Sequence, residues 1–163
     1  MKHLQITLAK RRNLLFGIVA MGSLALSLGS CKDEKSASEQ IAGTYDGHTV
    51  ATFAYSPKPV VTDGETVTIT SLGDGKASLS LTSKTWGPAV VGDVTITSDG
   101  QRATLAGEGT IDIPSMGGKG KYDVILSGTV ALDRSNADLL LKVPAVMGGV
   151  DIAFHTGAAP TEQ

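Results

Sequence analysis

The sequence predicts an all-β domain, an eight-stranded antiparallel up-and-down barrel, and three observations carry that prediction. Beyond Ile41, apolar and polar residues alternate with period two in eight short runs, the pattern of half-buried strands. No stretch of comparable length after that point has helical spacing, so crossover helices have no room and neighbouring strands are antiparallel. The connections are short and sequential, which favours a meander over the Greek-key crossings of a β-sandwich, the alternative architecture. Closure of eight strands removes both exposed edges.

The first run, "GTYDGHTVATFAY" (43–55), places Tyr45, Gly47, Thr49, Ala51, Phe53 and Tyr55 on one face. Val67 and Ile69 alternate with threonines, Ala77, Leu79 and Leu81 with serines, and Val94 and Ile96 with Thr95 and Thr97. Ala103, Leu105 and Gly107 lead a longer strand reaching Ile113. Tyr122, Val124 and Leu126 follow, then Ala137, Leu139, Leu141 and Val143, and last Val150, Ile152 and Phe154. Tyr45, Phe53 and Phe154 are the large residues expected to line a lumen. The small Ala, Gly and Thr of the first strand's inner face favour some space within it. An eight-stranded barrel is just wide enough to be filled by side chains or to hold one small ligand.

The connections are of two kinds. "LGDGK", "SDGQ" and "LDRSNAD" are polar turns rich in Gly, Asp and Asn. "SPKPVVTDG", "SKTWGPAVVG", "PSMGGKG" and "PAVMGG" hold five of the six prolines, the single Trp and two of the four Met. Alternate connections of a meander lie at the same end. The four richer loops are therefore expected to share one rim, with Trp86, Met116, Met147, Pro114 and Pro144 as the candidate ligand or partner surface.

The N-terminus is organised differently. Lys2, Lys10, Arg11 and Arg12 precede an uncharged apolar run of 15 residues, Leu14 to Leu28. That is short for a membrane span, which needs ~20, and has the proportions of a secretory signal. The run leads through Leu28, Gly29 and Ser30 into Cys31, the chain's only cysteine. Here the chain resembles the bacterial lipoproteins, whose lipobox has a Leu-type residue, two small residues and Cys. The resemblance implies cleavage after residue 30, with Leu28, Gly29 and Ser30 as recognition residues. It also implies covalent acyl chains on Cys31, and so a membrane as partner through a lipid anchor. One acyl chain anchors marginally and two or more anchor stably. Lys32, Asp33 and Glu34 are similar to the export tag of Bacteroidota-type surface lipoproteins. That implies the outer membrane with the domain facing the cell exterior, the periplasmic face being the alternative. Residues 31–42 are read as an acylated tether, 43–157 as the barrel domain and 158–163 as a flexible tail.

Cleavage leaves 133 residues with 10 basic and 16 acidic side chains, a formal charge of −6, enough chain for one core. No basic stripe exists for nucleic acid. No serine sits in a nucleophile elbow and no acid, base and nucleophile converge, so an enzyme is not expected. Asp and Glu fall mainly in turns or on polar faces. His48 and His155 are the only histidines of the mature chain. They are expected outside the barrel near one another if the first and last strands pair, with Asp46 and Asp151 a step to either side. No third and fourth ligand is fixed by spacing, so no metal and no cofactor are expected and the two histidines remain weak candidates.

At "AGTYDG" the mature chain resembles the calycins, and more closely the calycin-like barrel domain of Bacteroidota lipoproteins, over Ile41 to Gly157. Tyr45 stands where calycins commonly have Trp, and no Arg or Lys follows the last strand to cap it. The expected function is a non-catalytic binding module for a small apolar or mixed-polarity ligand. The alternative is an interaction lipoprotein with a filled barrel, presenting its rim loops to a protein or glycan.

Overall fold

The computed structural model describes residues 34–114 and 120–161. Leu28, Gly29, Ser30, Cys31, Lys32, Asp33 and Met116 lie outside the described residues. A short helix, α1 (Ala37–Ile41), precedes eight strands: β1 (Gly43–Phe53), β2 (Ser56–Gly73), β3 (Lys76–Thr82), β4 (Ala89–Ser98), β5 (Arg102–Asp112), β6 (Lys121–Ala131), β7 (Ala137–Val143) and β8 (Val150–Thr156). Each strand pairs antiparallel with the next, and β1 pairs with β8 from Gly47↔Thr156 to Phe53↔Val150, so the meander closes. The β-sandwich alternative is excluded.

Alternation sets which side chains go inward. Leu79 and Leu81, Leu105 and Ile111, Leu139 and Leu141, and Ile152 and Phe154 are buried together inside. At the seam, Gly47 lies opposite Thr156, and a Cβ there would run into the His155 carbonyl and the Phe154 ring. The missing side chain lets β1 approach β8 while Phe154 fills the space beneath.

The end that carries the β2–β3, β4–β5 and β6–β7 turns is sealed by α1, where an extended tether was expected. Ser36 and Glu39 form a reciprocal capping box, which satisfies two free amides at the start of the helix. Ser38 and Ile41 are fully buried, and Ser38 Oγ accepts from Ser71 Oγ at 2.9 Å. Tyr45 donates its hydroxyl to the Ile41 carbonyl at 2.6 Å. Arg134, from the β6–β7 turn, sits 5.7 Å from the centre of the Tyr45 ring, a cation–π arrangement. The cationic cap that the chain lacks after β8 is thus supplied from another turn, across the space left by Gly43. Burial pushes the Tyr45 hydroxyl up, and the Arg134 charge pulls it the other way.

The other departure is β2. "SPKPVVTDG", read as a loop, is the first half of an 18-residue strand, and the β1–β2 connection shrinks to Ala54 and Tyr55. Pairing with β3 begins only at Thr66, so Ser56–Glu65 pairs with β1 alone and overhangs its neighbour. The Pro57-Lys58-Pro59 stretch falls in a register shift between Ala51↔Val60 and Phe53↔Ser56, where a bulge tolerates residues that cannot donate a ladder hydrogen bond. Past β8 the Ala159 amide donates to Asp63 Oδ1 at 3.0 Å, so the chain stays on the barrel wall as far as Ala159.

Truncating the seal tests its weight. Ile41→Ala is expected to lower unfolding free energy by about 2–4 kcal/mol while keeping the β-sheet spectrum, and Ser36→Ala by about 1 kcal/mol, both read from urea denaturation.

Candidate functional site

Among the described residues, the connections of the opposite rim approach one another in pairs. The amide of Asp112, the last residue of β5, donates to the Pro88 carbonyl at 3.0 Å, and Gly87 of the β3–β4 connection packs close to Pro114. The Ala54 amide reaches Gly149 O at 3.4 Å, joining β1–β2 to β7–β8. Between them lies an apolar groove of about 420 Å3, walled by Phe53, Tyr55, Val60, Thr85, Trp86 and Met147.

Trp86 is the floor of this groove and the cork of the barrel. Only 3% of its surface is exposed. Its indole Nε1–H donates to Thr49 Oγ1 at 3.2 Å, and its ring centre stands 5.8 Å from that of Phe53. Ser83 Oγ accepts from the amides of Thr85 and Trp86 at 3.2 and 2.8 Å, winding the loop so that the indole points inward. Thr62 Oγ1 donates to Thr85 Oγ1 at 3.3 Å and ties the loop to the β2 overhang.

The opposite wall is more open. Tyr55 is 82% exposed and Met147 54%. Met147 has φ +46 and is followed by Gly148 at φ +76. A left-handed backbone is strained for a side-chain-bearing residue, and it lays Met147 over the groove. At Gly148 a Cβ would meet the Tyr55 ring, so the tyrosine stacks directly on backbone.

Several expectations are corrected here. Tyr45 and Phe154 are inside but packed as filler, while Phe53 is partly buried and lines the groove. The inward space left by Gly47 is taken by Phe154 and that above Thr49 by Trp86, so the lumen offers no room among these residues. Trp86 lines the groove as expected of a rim residue, but from a buried position. Pro114 and Pro144 are exposed on the rim but do not line the groove, whereas Tyr55 and Val60 do.

Asp and Glu are expected mainly in turns or on polar faces, and Glu65 is an exception that is fully buried. Its Oε1 accepts from the Lys84 amide at 3.3 Å, and Oε2 has no partner. Glu65 alternates in phase with Val67 and Ile69, and that parity is the signal that locates it inside. A larger hollow of about 520 Å3 at the turn end, bordered by Arg102, Asp133 and Asn136, is less apt. The Asp133 carboxylate there is occupied by the Ser135 amide and hydroxyl.

The two histidines face each other on the outer wall as directly paired residues of β1 and β8. Their expected carboxylate neighbours do not join them: Asp46 accepts from Thr66, and Asp151 lies 3.8 Å from Lys142. Asp138 of β7 does, 2.9 Å from His155 Nδ1. The hydrogen bond from His155 holds the Asp138 carboxyl below the usual range, helped by that from Asn136 and the Arg102 charge and opposed by partial burial.

Residues 41–158 match the calycin-like β-barrel domain. The chain belongs to that family. A solved structure of a Bacteroides fragilis protein, assigned provisionally to the outer membrane, is similar to it at 25% identity with a TM-score of 0.64. That match covers 76% of this chain and 46% of the Bacteroides chain, so this calycin-like barrel corresponds to about half of the other protein. No curated protein matches the chain.

Two stability measurements check these assignments. Glu65→Leu is expected to raise stability by about 1 kcal/mol, because a buried oxygen without a partner gives way to apolar surface. Asp138 has a lowered folded pKa, so its stabilisation is present above the unfolded carboxylate pKa and lost as pH falls through the folded value. Asp138→Asn is therefore expected to destabilise at pH 7 and to be neutral near about pH 2, as read by thermal melts.

Proposed function

We propose that this calycin-like chain is a non-catalytic, lipid-anchored binding module of the outer membrane whose site is the rim groove. The observation that carries this reading is an apolar concavity, built from three connections, at one end of a barrel whose interior is filled. Its volume falls within the range of small-ligand sites. The floor is rigid, because Trp86 and Thr85 are hydrogen-bonded to Thr49, Ser83 and Thr62. The lid side is adaptable, because Met147 is soft and exposed. That combination suits an apolar ring or short acyl segment entering from solvent, with hydroxyls of Ser56 and Thr85 for a polar substituent.

The anchor belongs to the same reading. Acylation of Cys31 leaves the short stretch to Ser36, which spans about 17 Å when extended. The sealed α1 end then lies next to the membrane, and the groove is at the far end. The signal, lipobox and export-tag resemblance support an outward-facing location, and the provisional outer-membrane assignment of the similar Bacteroides protein supports the outer membrane as the compartment. The exposure of Tyr55 and Met147 favours a second reading, in which the rim receives an apolar side chain of a partner protein.

Trp86 is the chain's only tryptophan, so its emission reports on the groove directly. Titration of the acyl-free mature chain with an environment-sensitive apolar dye is expected to shift that emission. Met147→Glu should weaken binding at least about tenfold, by placing a charge against apolar surface, without altering the fold. Unchanged affinity in Met147→Glu and in Tyr55→Ala would place the ligand elsewhere. For the anchor, protein extracted from native membranes should exceed the mass of residues 31–163 by two or three acyl chains; an unmodified Cys31 defeats that part.

A further inference from the structure

The barrel seam carries a feature that the rim site does not use. His48 and His155 are register partners across β1 and β8, with ring centres 5.5 Å apart and planes tilted by 36°. Each ring has its Nδ1 engaged by a group that can only accept. His48 Nδ1 lies 2.9 Å from the Gly157 carbonyl, and His155 Nδ1 lies 2.9 Å from Asp138 Oδ1. Asp138 also takes a hydrogen bond from Asn136 Nδ2 on its other oxygen, at 2.8 Å, and has Arg102 at 3.5 Å. Surrounded by donors, it is an acceptor. A carbonyl and a carboxylate both demand N–H from the imidazole, so both neutral rings are held as the Nδ1–H tautomer. The lone pair of each is then on Nε2, which makes no protein hydrogen bond among the described residues.

We propose that this histidine pair binds a divalent transition-metal ion through the two Nε2 atoms, with Asp138 and the Gly157 carbonyl orienting the ligands. A hydrogen bond from the far ring nitrogen to a carboxylate or carbonyl is the arrangement that fixes metal-ligating histidines and raises their basicity. The spacing is also suitable. With both Nε2 atoms turned to one ion at about 2.0–2.1 Å, about 3.2 Å from each ring centre, the observed separation of the centres allows an angle of about 120° at the ion, near tetrahedral. His48 is 6% exposed and the His155 side chain 43%, so the ion enters from the β8 side. No third His, Cys, Asp or Glu converges with the pair among the described residues. Water therefore completes the coordination; the angle suits Zn2+, Cu2+ binds two imidazoles more tightly and serves as the probe, and Mg2+ and Ca2+, which take oxygen ligands, are poor fits. Such an ion would cross-link β1 to β8 at the one junction that closes the barrel.

The mature chain has no other histidine, and acylation would occupy its only thiol, so the assay has little background. Cu2+ titrated into the membrane-extracted, tag-free protein is expected to bind one to one with a Kd on the order of micromolar and to raise Tm. Electron paramagnetic resonance should show two nitrogen ligands. His48→Gln and His155→Gln should each weaken binding at least about tenfold, and Asp138→Asn about tenfold with the stoichiometry unchanged. His155 is half-exposed, so its variant tests the site even if His48→Gln perturbs the seam. Equal affinity in the His48→Gln/His155→Gln double variant, or a Kd above about 1 mM in the native protein, overturns the proposal.

Discussion

The pairing of β1 with β8 is the contact on which this molecule depends. Without it both strands would present open ladders of amides and carbonyls to water or to other chains, and the alternating inward side chains would have no enclosed volume to fill. Closure imposes a parity: Val150, Ile152 and Phe154 of β8 must meet the inner face of β1 at Phe53, Ala51 and Thr49, and a slip of one residue would turn the strand's two faces inside out. Gly47 is the concession that makes the seam fit, since the wall closes there against the backbone of His155.

A filled cylinder still has two ends, and the chain treats them differently. One is sealed by a helix of a single turn, a tyrosine hydroxyl bonded to that helix and an arginine laid over the ring. The other is stopped by an indole that enters from a loop, with enough left over above it for a concave apolar surface. The asymmetry follows from the meander, because loops that alternate in sequence collect at the same rim. Small inner-face residues on β1 therefore mark receptors for side chains from elsewhere in the chain, Phe154 and Trp86.

Much of this was legible in the amino-acid order. The strand number, the antiparallel closure and the separation of polar turns from proline-bearing loops all follow from period-two alternation and connection length. So did the adjacency of His48 and His155. What was not legible is local structure below the length at which periodicity speaks. A helix of one turn at Ala37–Ile41 shows no amphipathic repeat, although Ser36 and Glu39 carry its capping signal. The first half of β2 was hidden because Pro57 and Pro59 signal a turn, and because residues with one strand neighbour are exposed on both faces and do not alternate. Glu65 lies at the join of those two halves, where polar type and inward parity disagree and parity prevails. The depth of Trp86 and the source of the cation over Tyr45 are tertiary outcomes, set by which loop or turn reaches across the mouth of the barrel.

The overhang of β2 has a consequence for encounters between copies of the chain. A strand paired on one side is a template onto which any extended segment can zip. Two prolines flanking a lysine interrupt that template where it stands farthest from β3, since a proline nitrogen has no hydrogen to offer and a charge resists being covered. The same residues that masked the strand from a reading of the sequence therefore keep neighbouring copies from stitching into a continuous ribbon.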